Sequence, residues 1–130
     1  MPVSFHLKKE FNLIICNHRG TVEDGEFLDS YKNFFERDLS NLSMNLLVDL
    51  RLTDSSQRSN NALRKLSDFM NGQFKNTDKK IKVAVIASKD ISFGLARMYE
   101  AFIKTVKVEF VVFRAADAAL AWLGVPEDML

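Results

Sequence analysis

Cysteine is nearly absent from this chain: Cys16, inside the apolar run LIICN, is the only one in 130 residues. A lone cysteine makes no internal disulfide, which suits a reducing compartment. Its apolar setting favours an inert core thiol over a reactive one. An excess of one charge is missing too. Lys and Arg number 18, Asp and Glu 17, and the net charge is +1. A nucleic-acid binder usually carries a basic stripe or a marked basic excess. The densest basic cluster here, Lys79, Lys80 and Lys82, reads as a solvated strand entry, so no nucleic-acid partner is expected. No apolar run approaches the roughly 20 residues that cross a bilayer. The opening MPVSFHLKKE lacks a signal-peptide pattern. A soluble cytoplasmic protein without a membrane span is the expectation.

The usual catalytic and metal motifs are also lacking. His6 and His18 stand outside any HExxH or CxxC spacing, and no GxGxxG or GxxxxGK[ST] occurs. Cys16 and His18 are two apart and share a strand face. A working Cys–His pair needs an exposed thiol and a third hydrogen-bonding group, and the sequence argues for neither. The expectation is a non-catalytic protein with no metal and no cofactor.

What is present is a regular alternation of strand and helix patterns. Residues 3–8 alternate apolar and polar, and 11–18 (FNLIICNH) read as a second strand joined by a short hairpin. Thr21 and Asp24 have capping-box spacing ahead of a helix over about 22–37, with Phe27, Leu28, Tyr31, Phe34 and Phe35 at helical intervals. MNLLVDLR (44–51) is a third strand. A helix over about 57–71 follows, with Gly72 as its expected stop. KIKVAVIAS (80–88), DISFGLARMYEAFIK (90–104), VKVEFVVFR (106–114) and DAALAWLG (117–124) read as strand, helix, strand and helix.

The order is ββαβαβαβα in one domain over residues 1–130. This is an α/β fold with a mostly parallel five-stranded sheet and an antiparallel edge strand. In the third, fourth and fifth strands one face is purely apolar. The other is mixed, carrying Asn45, Asp49, Lys82 and Glu109. An evenly covered parallel sheet is apolar on both faces, so the helices should lie largely on one side.

LLVDLR, IKVAVIASKDISFGLARMYEAF and VVFRAADAALAWLG, in that order and spacing, resemble the SpoIIAA-like family. These are small bacterial proteins related in fold to STAS domains. The resemblance is best over 44–124 and implies a small sheet of β-α units with helices mostly on one face. The family's biochemical role is largely undefined. STAS-like folds are often compared with CRAL-TRIO lipid-exchange domains, which by analogy brings a lipophilic ligand into view.

Three stretches carry candidate chemistry. STAS domains of the anti-sigma-antagonist type carry a phosphorylatable serine in Asp-Ser-Ser-Gly at a helix start, and here Asp54, Ser55 and Ser56 precede Gln57. Ser55 and Ser56 are therefore candidate phosphorylation sites, with the glycine missing. Helix capping by Asp54, Ser55, Ser56 or Ser59 is the simpler reading. In SKDISFGLARMYE, Ser88 or Asp90 can cap, Ile91, Leu95, Met98 and Phe102 make an apolar stripe, and Gly94 is expected to serve close packing. Lys89, Arg97, Glu100 and Lys104 fall toward solvent, with Glu100 and Lys104 at i,i+4. The strand ends gather Asp49, Arg51, Asp54, Ser88, Asp90, Arg97 and Arg114, a candidate ligand or partner surface, or else a set of ion pairs and caps. The expected role is a binding or regulatory module acting on a protein partner or by self-association into a homodimer. The alternative is a small lipophilic-ligand binder, with surplus from the chain's 11 Phe lining an apolar pocket.

Overall fold

The computed structural model describes residues 2–130. Strands β1 (Val3–Lys8), β2 (Leu13–Thr21), β3 (Asn45–Asp54), β4 (Ile81–Ile86) and β5 (Val108–Phe113) form a sheet in chain order. β1 pairs antiparallel with β2; every later pairing is parallel. Helices α1 (Asp24–Arg37), α2 (Asn60–Phe74), α3 (Asp90–Phe102) and α4 (Ala116–Leu123) follow β2, β3, β4 and β5. The expected α/β order and the antiparallel edge strand are both present.

Cover of the two sheet faces is unequal, as the strand patterns imply. Helices α1, α2 and α3 pack on the face that presents Ile14, Cys16, Leu46, Val48, Val83 and Val85. On the other, α4 packs Ala119, Leu120 and Leu123 against Leu13, Ile15, Leu47, Ala84 and Ile86, with Val125 and Met129 from the segment behind it. Lys82, on that second face, lies 5.0 Å from the Trp122 ring and donates to the Trp122 carbonyl. It is thus packed rather than freely solvated, while Lys79 and Lys80 are exposed.

Several local expectations are corrected. Phe11 ends a short 3-10 turn, Lys9–Phe11, instead of opening β2. Thr21 is the last residue of β2, and α1 begins behind Glu23 with no side-chain cap. The capping box is not made because Asp24 is drawn away to Arg58 and to the Ser59 amide. Helix α2 starts three residues later than expected, at Asn60, where the Ser59 hydroxyl accepts the Ala62 amide at 3.0 Å. It runs past Gly72 to Phe74, which is buried in the core and holds the last turn in place.

Helix α3 is capped by neither Ser88 nor Asp90; its N-cap is Lys89, without a side-chain bond. Of its expected stripe, Leu95, Met98 and Phe102 pack on the core and Ile91 does not. Ile91 is 58% exposed, while Ser92 and Ala96 are buried and Leu95 and Tyr99 pack on the core. Gly94 faces open space, so close packing does not explain it. Glu100 pairs with Arg97 at 3.1 Å rather than with Lys104. Lys89 does not simply point into solvent: its Nζ donates to the Thr53 carbonyl at 2.9 Å.

One irregularity decides what reaches the core. Asn17 pairs with Asp49, but Arg19 pairs with Leu52, so β3 spends one residue more than β2 over this step. Such a bulge reverses the alternation beyond it. Leu52 is consequently turned outward and exposed, while Thr53 is buried on the three-helix face. Thr53 Oγ1 donates to the Gly20 carbonyl at 2.7 Å.

Candidate functional site

The three-helix face does not pack solid. A cavity of about 110 Å³ lies between α1, α2, α3 and the sheet. Short side chains leave the space: Val48, Val83 and Val85 from the strands, and Ala96 from α3, all border it. Rings from Phe27, Tyr31, Phe35, Phe74, Tyr99 and Phe110 border it as well. Protein interiors rarely hold voids larger than a water molecule. An apolar cavity of roughly 150 Å³ stays dry and admits a benzene-sized guest. This one belongs to that size class.

One end of the cavity is polar, and β3, α2 and α3 build it. Thr53 is delivered there by the bulge. Ser55 and Ser92 hydrogen-bond each other at 2.7 Å, tying the segment after β3 to the first turn of α3. Arg58 closes this end with a side chain only 8% exposed. Its Nη1 donates to Asp24 Oδ1 at 2.8 Å, and its Nη2 to the Val22 carbonyl at 2.9 Å. The guanidinium also lies 4.0 Å above the Phe27 ring, a cation–π arrangement. The start of α1 is thereby fastened to the start of α2. Burial pushes the Asp24 carboxyl upward, but hydrogen bonds from Ser59 and Arg58 outweigh it and hold the group ionised below its usual range.

Beside this end, Tyr31 from α1 reaches β2. Its hydroxyl lies 2.8 Å from His18 Nε2 and accepts the Cys16 thiol at 3.4 Å. Burial pushes the Cys16 thiol up to about 12, so the sulfur stays protonated. Burial, helped by the Arg58 cation and opposed by Asp49, lowers His18 to about 4 and keeps the imidazole neutral at pH 7. A neutral imidazole with Nε2 unprotonated accepts a hydrogen bond from the Tyr31 hydroxyl, giving a Cys16–Tyr31–His18 chain. Nucleophilic chemistry would require a thiolate, and this arrangement suppresses it. Tyr99 differs from Tyr31. Its ring stands edge-on to Phe110 at 5.6 Å, and burial alone raises its phenol. Among the described residues its hydroxyl has no hydrogen-bond partner. No fully enclosed side-chain oxygen or nitrogen among those residues is left unpaired, so that hydroxyl is open to a water-sized molecule.

The residues singled out at the strand ends form separate local pairs. Arg51 grips Asp49 through Nε and Nη2, at 3.0 and 2.8 Å, on the α4 side of the sheet. Burial pushes the Asp49 carboxyl up, but these bonds and the Arg51 amide outweigh it and lower it. Asp54 accepts the Ser56 amide, a turn rather than a helix cap. Arg114 donates to Asp90 at 2.6 Å and to the Ser88 carbonyl at 3.4 Å, with its guanidinium 4.1 Å from the Phe93 ring. Arg97 is engaged by Glu100 on the outer side of α3. Of the serine and strand-end residues proposed from sequence, only Ser55 borders the cavity, while four phenylalanines, Phe27, Phe35, Phe74 and Phe110, do line it. Ser55 and Ser56 precede α2 by several residues and do not start it; Ser56 is exposed on a turn. His18, Tyr31, Thr53, Arg58, Ser92 and Tyr99 were not singled out as a cluster, because 81 positions separate the first from the last and no local spacing joins them. Among the described residues, no three His, Cys, Asp or Glu side chains come together as a metal site would need.

No family model matches the chain, and no curated protein matches it. A solved structure does. It is an uncharacterized protein of the DUF3478 family with a SpoIIAA-like fold, from Shewanella loihica PV-4. The two share 20% identity, with 93% of this chain and 91% of that one covered and a TM-score of 0.59. The fold is SpoIIAA-like. At that identity the likeness carries architecture and not activity. Among the described residues, no helix is long and apolar enough to cross a membrane.

Proposed function

We propose that this protein is a non-catalytic binder of a small lipophilic molecule, held between the three-helix layer and the sheet. The observation that carries this reading is the cavity of about 110 Å³, apolar along its length and polar at one end. Ligand sites are commonly concave, mostly apolar and equipped with a few convergent polar groups. The suppressed Cys16 thiol and the neutral His18 favour binding over chemistry.

Native mass spectrometry of freshly purified protein tests it. Adducts that vanish on denaturation are expected, with a gain in melting temperature from at least one member of a panel of small aromatics, fatty acids and phospholipids. A bare 14.9 kDa mass with no such gain would sink the reading.

A second reading, self-association, has its own support. β5 is a sheet edge with a free hydrogen-bonding side, and its VEFVVF sequence is half-buried over most of its length. Open apolar edges invite pairing with another strand, here that of a second copy. Light scattering should then report about twice the 14.9 kDa chain mass, and a monomer at high concentration removes the idea.

A further inference from the structure

We propose that the cavity selects a compact, uncharged ligand with one hydrogen-bonding atom, a small phenol being the simplest case, and that Tyr99 reads that atom. This rests on the lipophilic-ligand reading above.

Charge is the first argument. Of the residues bordering the cavity, Arg58 is the one full cation, and its guanidinium is already answered by Asp24 at 2.8 Å and by the Val22 carbonyl. His18 is buried with its Nε2 engaged by Tyr31. A carboxylate headgroup entering here meets no free positive partner, and burying it unpaired is costly. Size is the second. About 110 Å³ suits one ring or a short chain segment, not a long acyl chain.

Hydrogen-bonding capacity is the third. Thr53 is engaged with Gly20, Ser55 with Ser92, and Tyr31 with His18 and Cys16. Tyr99 borders the cavity too, and among the described residues none of these hydrogen bonds, nor any other, engages its hydroxyl. A phenol can both donate and accept, so it pairs with a ligand hydroxyl, amine or carbonyl. The surrounding rings of Phe27, Phe35, Phe74 and Phe110 give a flat aromatic guest edge-on and offset neighbours.

Calorimetric titration with 4-methylphenol, toluene and octanoate separates the possibilities. The first two differ by a single hydroxyl; the third brings a carboxylate. In the wild type, 4-methylphenol should bind about tenfold tighter than toluene, the ratio one net hydrogen bond supplies, and octanoate should bind weakest. Tyr99→Phe keeps the ring against Phe110 and should collapse the ratio to near one while toluene binding stays. An unchanged ratio in Tyr99→Phe overturns the role of Tyr99 while the cavity reading stands. Octanoate binding the wild type as tightly as toluene overturns the selection against charge, and needs no variant to be seen. Failure of all three probes to bind the wild type overturns the cavity reading itself.

Discussion

The Tyr31 hydroxyl lies 2.8 Å from His18 Nε2, and this bond joins α1 to β2 inside the core. Burial of that imidazole, with the Arg58 cation nearby, sets how stability depends on pH. His18 titrates at about 4 in the folded protein against an ordinary 6.5. As pH falls through 6.5 the unfolded chain takes up a proton that the folded one refuses. Stability is therefore full above 6.5 and is lost as pH drops toward 4, by up to about 3 kcal/mol. Urea midpoints between pH 7 and pH 4.5 should trace this loss. His18→Asn should flatten the slope; an equal slope in that variant would assign it elsewhere.

Cys16 should behave as a reporter of unfolding. The thiol is fully buried, and its pKa is pushed up to about 12. Thiol reagents near neutral pH should modify the native protein only as fast as the core opens. Labelling should be fast in urea and slow in buffer. Rapid labelling in buffer would contradict the burial described.

Two glycines should respond to alanine in opposite directions. Gly94 lies inside α3 with nothing near an added methyl group. Gly94→Ala should raise stability, by up to about 1 kcal/mol. Gly124 closes α4 at φ +73, a left-handed cap. Gly124→Ala should lower stability by about 1 kcal/mol. Paired denaturation curves decide both.

Ala96 offers a way to fill the cavity from α3. Ala96→Leu puts added carbons into existing space, so the melting transition should stay cooperative, with a change within about 1.5 kcal/mol. Adducts found on the wild type by native mass spectrometry should disappear. Adducts that persist on a folded Ala96→Leu protein would place the ligand elsewhere.

Much of the fold was legible because its signals are local. Val83 and Val85 against Lys82 and Ala84 set the two faces of β4, and the same alternation in β3 and β5 implied uneven helical cover. The candidate site was not legible, because long-range partners override local spacing. Thr21 and Asp24 have the spacing of a capping box, yet Asp24 turns to Arg58, 34 residues on. Cys16 and His18 are neighbours on one strand face, but the Tyr31 hydroxyl that joins them comes from another element. The stripe of α3 was misjudged at Ile91, because Ser92 is held inward by Ser55, which directly follows β3. The surplus of phenylalanine pointed to an apolar pocket, but no local spacing marks where Phe27, Phe35, Phe74 and Phe110 leave the space.

The bulge in β3 has a meaning in chain length. Leu50 and Arg51 together stand opposite the single residue His18 of β2. Removing Arg51 leaves a strictly alternating strand in which Leu50 and Thr53 still face the helices and Leu52 still faces away. Every partner downstream keeps its place. The register at this step has one residue to spare, and that residue is the one whose guanidinium answers the buried Asp49 carboxylate.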